Sequence, residues 1–290
     1  MDAAPALAIL SSLCFGTALV TGRIGLRTID ARAGAAISIP TATVLFVLAA
    51  PFAFDGAGFT LRAALLFAVV GLFFPALVTL LTFRSNEKLG PTITGTVSGT
   101  APLFALLAAG LFLGEKIPGH AAIACVAVVA GIAVLSWKRG DGNPGASGWS
   151  LLWPIAGAVV RGLAQAGAKA GLALWPSPYA AGLIGYLVSS ATVIGTNAIG
   201  RSERPQSAKN GIVWFMVTGV LNGSAVLLMY GALSIAPVSL VAPIVATYPL
   251  VTTMVSAVVL REERVTLRTV AGAAITVLAI VYLVTFKTSA

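Results

Sequence analysis

Charge is scarce in this chain: Asp, Glu, Lys and Arg make up 9% of 290 residues, against 58% that are hydrophobic. A soluble domain of this length could not hide so much apolar surface, so a water-exposed globular fold is excluded and lipid is the expected solvent. Histidine occurs once, at His120, which argues against a histidine-built metal centre or a His-based catalytic triad. The two cysteines, Cys14 and Cys125, sit inside apolar runs and offer neither a disulfide framework nor metal spacing. Gly110-Leu-Phe-Leu-Gly-Glu-Lys116 is too short between its glycines for a phosphate-binding loop and lacks the following Ser or Thr. ATP hydrolysis by this chain is therefore not expected, and no cofactor or metal is implied. All nine acids (Asp2, Asp30, Asp55, Glu87, Glu115, Asp141, Glu203, Glu262 and Glu263) fall in loops or at helix ends. Proton-coupled carriers usually keep a carboxylate in the membrane interior, so this distribution argues against a carboxylate relay there and leaves facilitated diffusion, or coupling through some other group.

What the chain has in abundance is long apolar runs. Segments of about 17–25 such residues can span a bilayer as helices. They are expected near 4–22, 34–53, 61–83, 90–113, 119–137, 150–173, 179–199, 212–233, 237–260 and 267–286. The first has Asp2 before it and its basic residues after it, which is the pattern of a retained helix rather than a cleaved leader. The net charge of +9 comes from single basic residues between apolar runs and does not form a nucleic-acid footprint. Arg23, Arg27, Arg32, Arg84, Lys88, Lys138, Arg139, Arg201, Arg204, Lys209, Arg261, Arg264 and Arg268 fall in odd-numbered loops. Even loops and the termini hold only Arg62, Lys116 and Lys287. The positive-inside rule then puts both termini on the periplasmic or extracellular side of a bacterial inner membrane.

The second half of the chain repeats the first. Leu81–Leu135 lies on Leu227–Tyr282, with Gly90-Pro91 on Ala236-Pro237 and, after one residue of slack, Pro102 on Pro249 and Glu115 on Glu262. Upstream, Gly16…Arg23-Ile24-Gly25-Leu26 matches Gly162…Lys169-Ala170-Gly171-Leu172. The expected organisation is a first five-helix repeat over 1–140, a polar Gly-rich linker at 141–148 and a second repeat over 149–290. Five spans per repeat invert the second copy in the bilayer, an arrangement that builds a cavity near the midplane in many secondary transporters.

Few polar residues lie inside the spans. Arg161 sits about 12 Å below Trp153 along the sixth span, close to the middle of the hydrocarbon layer. Trp153, Gly157, Arg161, Gln165 and Lys169 recur every four residues as one stripe. Two readings of Arg161 stand: a cavity wall that attracts a substrate carboxylate, or a cation that caps carbonyls of a broken helix or snorkels. Asn222, Ser224 and Tyr230 on the eighth span should face the bundle interior, either to bond other helices or to meet a ligand. Thr94, Ser98 and Pro102 share a face of the fourth span, with Gly95 and Gly99 as a seam for close packing. The ninth span contains Pro237, Pro243 and Pro249. The matched Pro102 and Pro249 read as kinks, either hinges or static bends.

The passage Ala101-Pro102-Leu-Phe-Ala-Leu-Leu-Ala-Ala-Gly-Leu-Phe-Leu-Gly-Glu115-Lys116 and its looser copy from Tyr248-Pro249 to Glu262-Glu263 resemble the EamA type of the drug/metabolite transporter superfamily. The resemblance covers nearly the whole chain. It implies an all-α integral membrane protein of ten transmembrane helices in two inverted five-helix repeats. The implied activity is export of amino acids and related metabolites by alternating access, and exporters of the YddG type, which carry aromatic amino acids, lie within this group. Many members keep the N-terminus cytoplasmic, with a basic loop after the second helix. Here that loop carries only Arg62, so the chain's own charge bias is preferred. Residues carried over as pathway-lining are Ser11, Phe15, Phe83, Ser98, Arg161, Gln165, Asn222, Tyr230 and Tyr248. The expected partners are an amino acid-like small molecule and the lipid bilayer, with no nucleic acid and no soluble protein. Efflux of toxic organic compounds is the alternative function. An intramembrane enzyme would need clustered acids or histidines, and a scaffold or sensor would be expected to carry a soluble output domain.

Overall fold

The computed structural model describes residues 3–136, 148–199, 209–260 and 267–287, and every regular element among them is a helix. Helix α1 (Ala3–Gly25) is followed by α2 (Ala31–Ala53), whose start is capped by Asp30: its carboxylate accepts from the Arg32 and Ala33 amides at 2.8 and 2.9 Å. Thr60 caps α3 (Leu61–Phe73) by accepting from the Ala63 amide. The chain then passes Phe74 and Pro75, joined by a cis peptide, into α4 (Ala76–Ser98). Helix α5 (Ala101–Leu113) ends on Gly114, whose φ of 62° is the left-handed conformation that closes helices. Helix α6 (Gly119–Ser136) completes the first half.

A short 3₁₀ turn (Gly148–Leu151) leads into α7 (Leu152–Leu174), α8 (Pro178–Ile199) and α9 (Lys209–Ile235). Helices α10 (Val238–Val245) and α11 (Tyr248–Val255) follow, the latter running on as a π turn over Ser256–Leu260, and α12 (Leu267–Lys287) comes last.

Among the described residues, seven helical segments can cross a membrane by length and composition; one of them, Leu61–Leu113, runs 53 residues through α3, α4 and α5. Gly119–Val134 and Val270–Phe286 are shorter apolar helices. The outer surface is apolar, with Phe52, Leu111, Phe112 and Val258 among its most exposed side chains. Such a surface suits lipid and would drive aggregation in water. Inside, hydroxyls tie helices together: Ser11 donates to Ala225 O at 2.7 Å, Thr43 Oγ1 to Tyr186 O at 3.0 Å, and Ser189 to Gly71 O at 2.5 Å.

The two halves interlock through matched glycines. A Cβ on Gly16 of α1 would lie 2.6 Å from Tyr248 O and 2.5 Å from Val251 Cβ of α11. A Cβ on Gly162 of α7 would lie 2.8 Å from Ala101 O and 2.7 Å from Phe104 Cβ of α5. Each repeat's first helix thus packs on the broken helix of the other repeat, at corresponding residues.

The breaks differ from the sequence reading. The third span does not run on through 61–83: its helix stops at Phe73 and restarts at Ala76. Helix α4 then continues past 83 as far as Ser98, with a kink at Gly90 (φ 80°, ψ 170°). Pro102 and Pro249 are not kinks in mid-helix. The chain breaks just ahead of them, at Gly99-Thr100 and Ala246-Thr247, and each proline occupies the first turn of the restarted helix. Proline is tolerated there because that turn's N–H has no partner to lose. Thr94 and Ser98 therefore belong to a different helix from Pro102. Gly95 does provide a close approach, since a Cβ there would lie 3.5 Å from Pro249 Cβ and 3.4 Å from Leu19. Ser224 is exposed on the outer face of α9 rather than turned inward. Of the expected linker 141–148, residues 141–147 lie outside the described residues, as do Glu262 and Glu263.

Candidate functional site

At the centre of the bundle lies a cavity in two lobes, of about 30 Å³ each. Both lobes are walled by Phe15, Thr82, Phe83, Arg161 and Asn222. The first adds Ala18, Leu19, Thr94, Ser98 and Tyr248; the second adds Phe74, Pro75, Val78, Thr79, Tyr186 and Val226. Helices α1, α4, α7 and α9 meet there, with α8 and α11 closing the sides. A lobe of this size holds about one water molecule. The cavity is constricted, and an organic solute requires it to widen.

Among the described residues Arg161 is the only charged one on this wall, and it is 8% exposed. Its guanidinium carbon lies 5.1 Å from the Phe15 ring centre, 5.5 Å from that of Tyr248 and 5.9 Å from that of Phe74. These rings present their negative faces to the cation, each contributing roughly 0.5–2 kcal/mol according to how dry the site is. Among the described residues no acid pairs with it, and Nε has no hydrogen-bond partner. The side chain lies at the bundle centre, and among the described residues it bonds no backbone carbonyl. Phe15 and Arg161 occupy matched positions in the two repeats, so their contact lies where the two halves meet.

Two buried hydroxyls at the cavity, Ser98 Oγ and Tyr248 Oη, face each other without a well-formed hydrogen bond, and the buried Tyr186 Oη has no partner. A buried polar group left unbonded costs about 1–3 kcal/mol, so these atoms favour any ligand or water that can bond them. Thr94 is less available, because its hydroxyl bonds Ser85 at 2.8 Å.

Of the nine residues expected to line the pathway, the structure brings Phe15, Phe83, Ser98, Arg161, Asn222 and Tyr248 to the cavity. Ser11, Gln165 and Tyr230 are buried but line neither lobe. Ser11 spends its hydroxyl on α9, and Gln165 Nε2 meets Met229 Sδ at 3.6 Å, leaving Oε1 unpartnered. Phe74, Thr79, Thr82 and Tyr186 were not anticipated. Phe74 enters because the chain breaks beside it. Thr79 and Thr82 precede Phe83 within about one turn, and hydroxyls so close to a residue expected to line the pathway were the available signal. Tyr186 comes from α8, whose sequence offered none.

Among the cavities away from the centre, two are bordered by charged side chains. One, of about 570 Å³, is bordered by Glu115, Lys169 and the α9–α10 joint at Ala236-Pro237. The other, of about 240 Å³, is lined by Arg32, Arg84 and Thr196 among others. His120 stands at the start of α6 against Phe286, and the described residues hold no group of His, Cys, Asp and Glu fit for a metal.

Among solved structures, 29 chains match this one. One of them, described only as a crystal structure of a protein, superposes with a TM-score of 0.78 at 15% identity, covering 96% of this chain and 95% of its own. At that identity it speaks for the fold alone. No curated protein matches. The model of the EamA-like transporter family matches twice, over residues 3–137 and 148–285. The repeat read from the sequence thus corresponds to two successive copies of one family unit, and the chain belongs to the EamA-like transporter family.

Proposed function

We propose that this membrane transporter exports amino acids and related small metabolites, aromatic amino acids among them, by alternating access and facilitated diffusion. The observation that carries this reading is Arg161, a buried cation without an acid partner, held among Phe15, Phe74 and Tyr248 at the centre of the bundle. A guanidinium offers a planar fork of donors to a carboxylate, and the rings around it suit an apolar or aromatic side chain. Ser98, Tyr248 and Asn222 supply hydroxyl and amide groups for the remainder of a zwitterion. Counting Leu61–Leu113 as two crossings and adding the two shorter helices gives ten crossings in two inverted repeats. The charge bias places both termini on the outer face of a bacterial inner membrane.

Counterflow into proteoliposomes across a panel of amino acids, amino acid amides and organic cations tests the reading. Free carboxylates should exchange, aromatic and large aliphatic ones best, and their amides should exchange poorly. Exchange of organic cations with no response to amino acids would replace this reading with multidrug efflux.

A further inference from the structure

Outside the central cavity, two basic side chains at matched positions make the same unusual bond. At the end of α1, Arg23 donates from Nη1 to the carbonyls of Asn86 and Glu87 at 2.9 and 3.2 Å, just ahead of the kink at Gly90. On α7, Lys169 donates from Nζ to the carbonyls of Leu233 and Ala236 at 2.7 and 2.9 Å, just ahead of Pro237. The repeats align Arg23 with Lys169, Glu87 with Leu233 and Gly90 with Ala236. In each half, then, a cation from the first helix grips the carbonyl end of the helix segment that precedes a backbone break. Free carbonyls there carry partial negative charge, which makes a cation the fitting partner.

The two grips lie at opposite ends of the bundle. Helices α1 and α9 run antiparallel: Leu7 lies beside Gly231, Ser11 bonds Ala225, Thr21 bonds Thr218, and Phe215 lies against Gly25. Leu233 is therefore level with the start of α1, whereas Arg23 stands at its other end, about 24 Å away at 1.5 Å per residue. At the Lys169 end, Glu115 holds the other side of the joint. It accepts from the amides of Val238 and Ser239 at 3.1 and 3.0 Å and from the Ser239 hydroxyl at 2.6 Å. The joint at Ala236-Pro237 is thus clamped by a cation on its carbonyls and an anion on its amides, at the border of the largest of these cavities.

We infer that Lys169 with Glu115, and Arg23 at the opposite end, are positioning residues that latch the two gates of the transporter. The inference rests on the alternating-access reading above. While a latch is made, the helix segments on either side of its joint are held in the orientation seen here and that end stays closed. Releasing it frees the segment to swing and opens the central cavity on that side. Here both grips are made and the cavity is constricted, as a closed form requires. The balance between the two open forms is set by the difference in strength between the latches.

Each latch can be removed separately. In a background with Cys14 and Cys125 replaced by Ala, Thr82→Cys on the cavity wall reports access to a membrane-impermeant thiol reagent applied to either face of oriented vesicles. Lys169→Met and the nearly isosteric Glu115→Gln should each shift the ratio of labelling rates at least about fivefold toward the face at the start of α1. Arg23→Met should shift it as far the other way. Lys169→Met combined with Arg23→Met should return the ratio toward that of the parent, and Arg23→Lys should leave it unchanged. A merely structural role would not give shifts of opposite sign. Shifts of the same sign, or none, in a parent that labels from both faces would overturn the latch while leaving alternating access in place. Labelling of the transport-competent parent from one face alone would overturn alternating access itself, and the latch with it.

Discussion

Arg161 dominates the chemistry of the central cavity because nothing in the described wall neutralises it. Three rings stabilise the cation without quenching its hydrogen-bonding capacity, so its donors remain available to an anion. Replacing it by Met keeps the stem's packing and removes the fork. A charge-assisted hydrogen bond contributes about 1.5–3 kcal/mol, and 1.4 kcal/mol is a factor of ten. Arg161→Met should therefore raise the half-saturating concentration for carboxylate substrates about tenfold or more, and change that of their amides little. Arg161→Lys should recover part of the loss, because it restores a charge but not the planar stacking against Phe15 and Tyr248. Equal loss for acids and amides would show that the side chain merely holds the helices. Six of the nine residues expected to line the pathway lie at the central cavity, and the reason is local. Arg161 and Asn222 are polar groups in apolar helices, which must turn inward, and the family pattern pointed to Phe15 and Tyr248. Ser11 misled because a hydroxyl on an inward face serves helix packing as readily as a ligand, and only the structure shows that Ala225 O accepts its hydrogen bond.

At the scale of the helix, hydropathy reads composition and is blind to the backbone. It located the apolar segments and their repeat, yet it drew one span through Phe74-Pro75 and another through Gly99-Thr100, where the helices end. A proline in an apolar run looks the same whether it bends a helix or starts one. The matched glycines carry more information, because they mark where one repeat's first helix meets the other's broken helix. A Cβ on Gly16 would overlap Val251 Cβ and Tyr248 O, and one on Gly162 would lie 2.7 Å from Ala105 N. Overpacking of this kind costs about 1–3 kcal/mol. Gly16→Ala and Gly162→Ala should each lower the Tm of the detergent-solubilised protein by several degrees and slow transport. Gly185→Ala is the control, since a Cβ there meets no atom within 4 Å. A normal Tm in both matched variants would mean that the two interfaces yield easily and do not set the geometry of the bundle.

For the whole molecule, the placement of charge decides what can drive transport. Among the described residues the acids are Asp30, Asp55, Glu87 and Glu115, and none lines the central cavity. Glu115 is engaged by two backbone amides and a hydroxyl at the α9–α10 joint. Among the described residues the cavity wall holds no carboxylate, lysine or histidine. The wall therefore offers no group that takes up a proton on one face and gives it up on the other between pH 6 and 8. A zwitterionic amino acid carries no net charge, so its passage with Arg161 remaining on the protein moves none across the membrane. Its flux should follow its own concentration gradient. Vesicles loaded with equal amino acid inside and out, then given a pH step of about two units, should show no net accumulation, and initial exchange rates should be nearly flat from pH 6 to 8. Uphill accumulation driven by the pH step would require a titrating group in the pathway beyond those on this wall. It would turn the reading from facilitated diffusion to proton antiport, with Glu115 at its joint as the first residue to substitute.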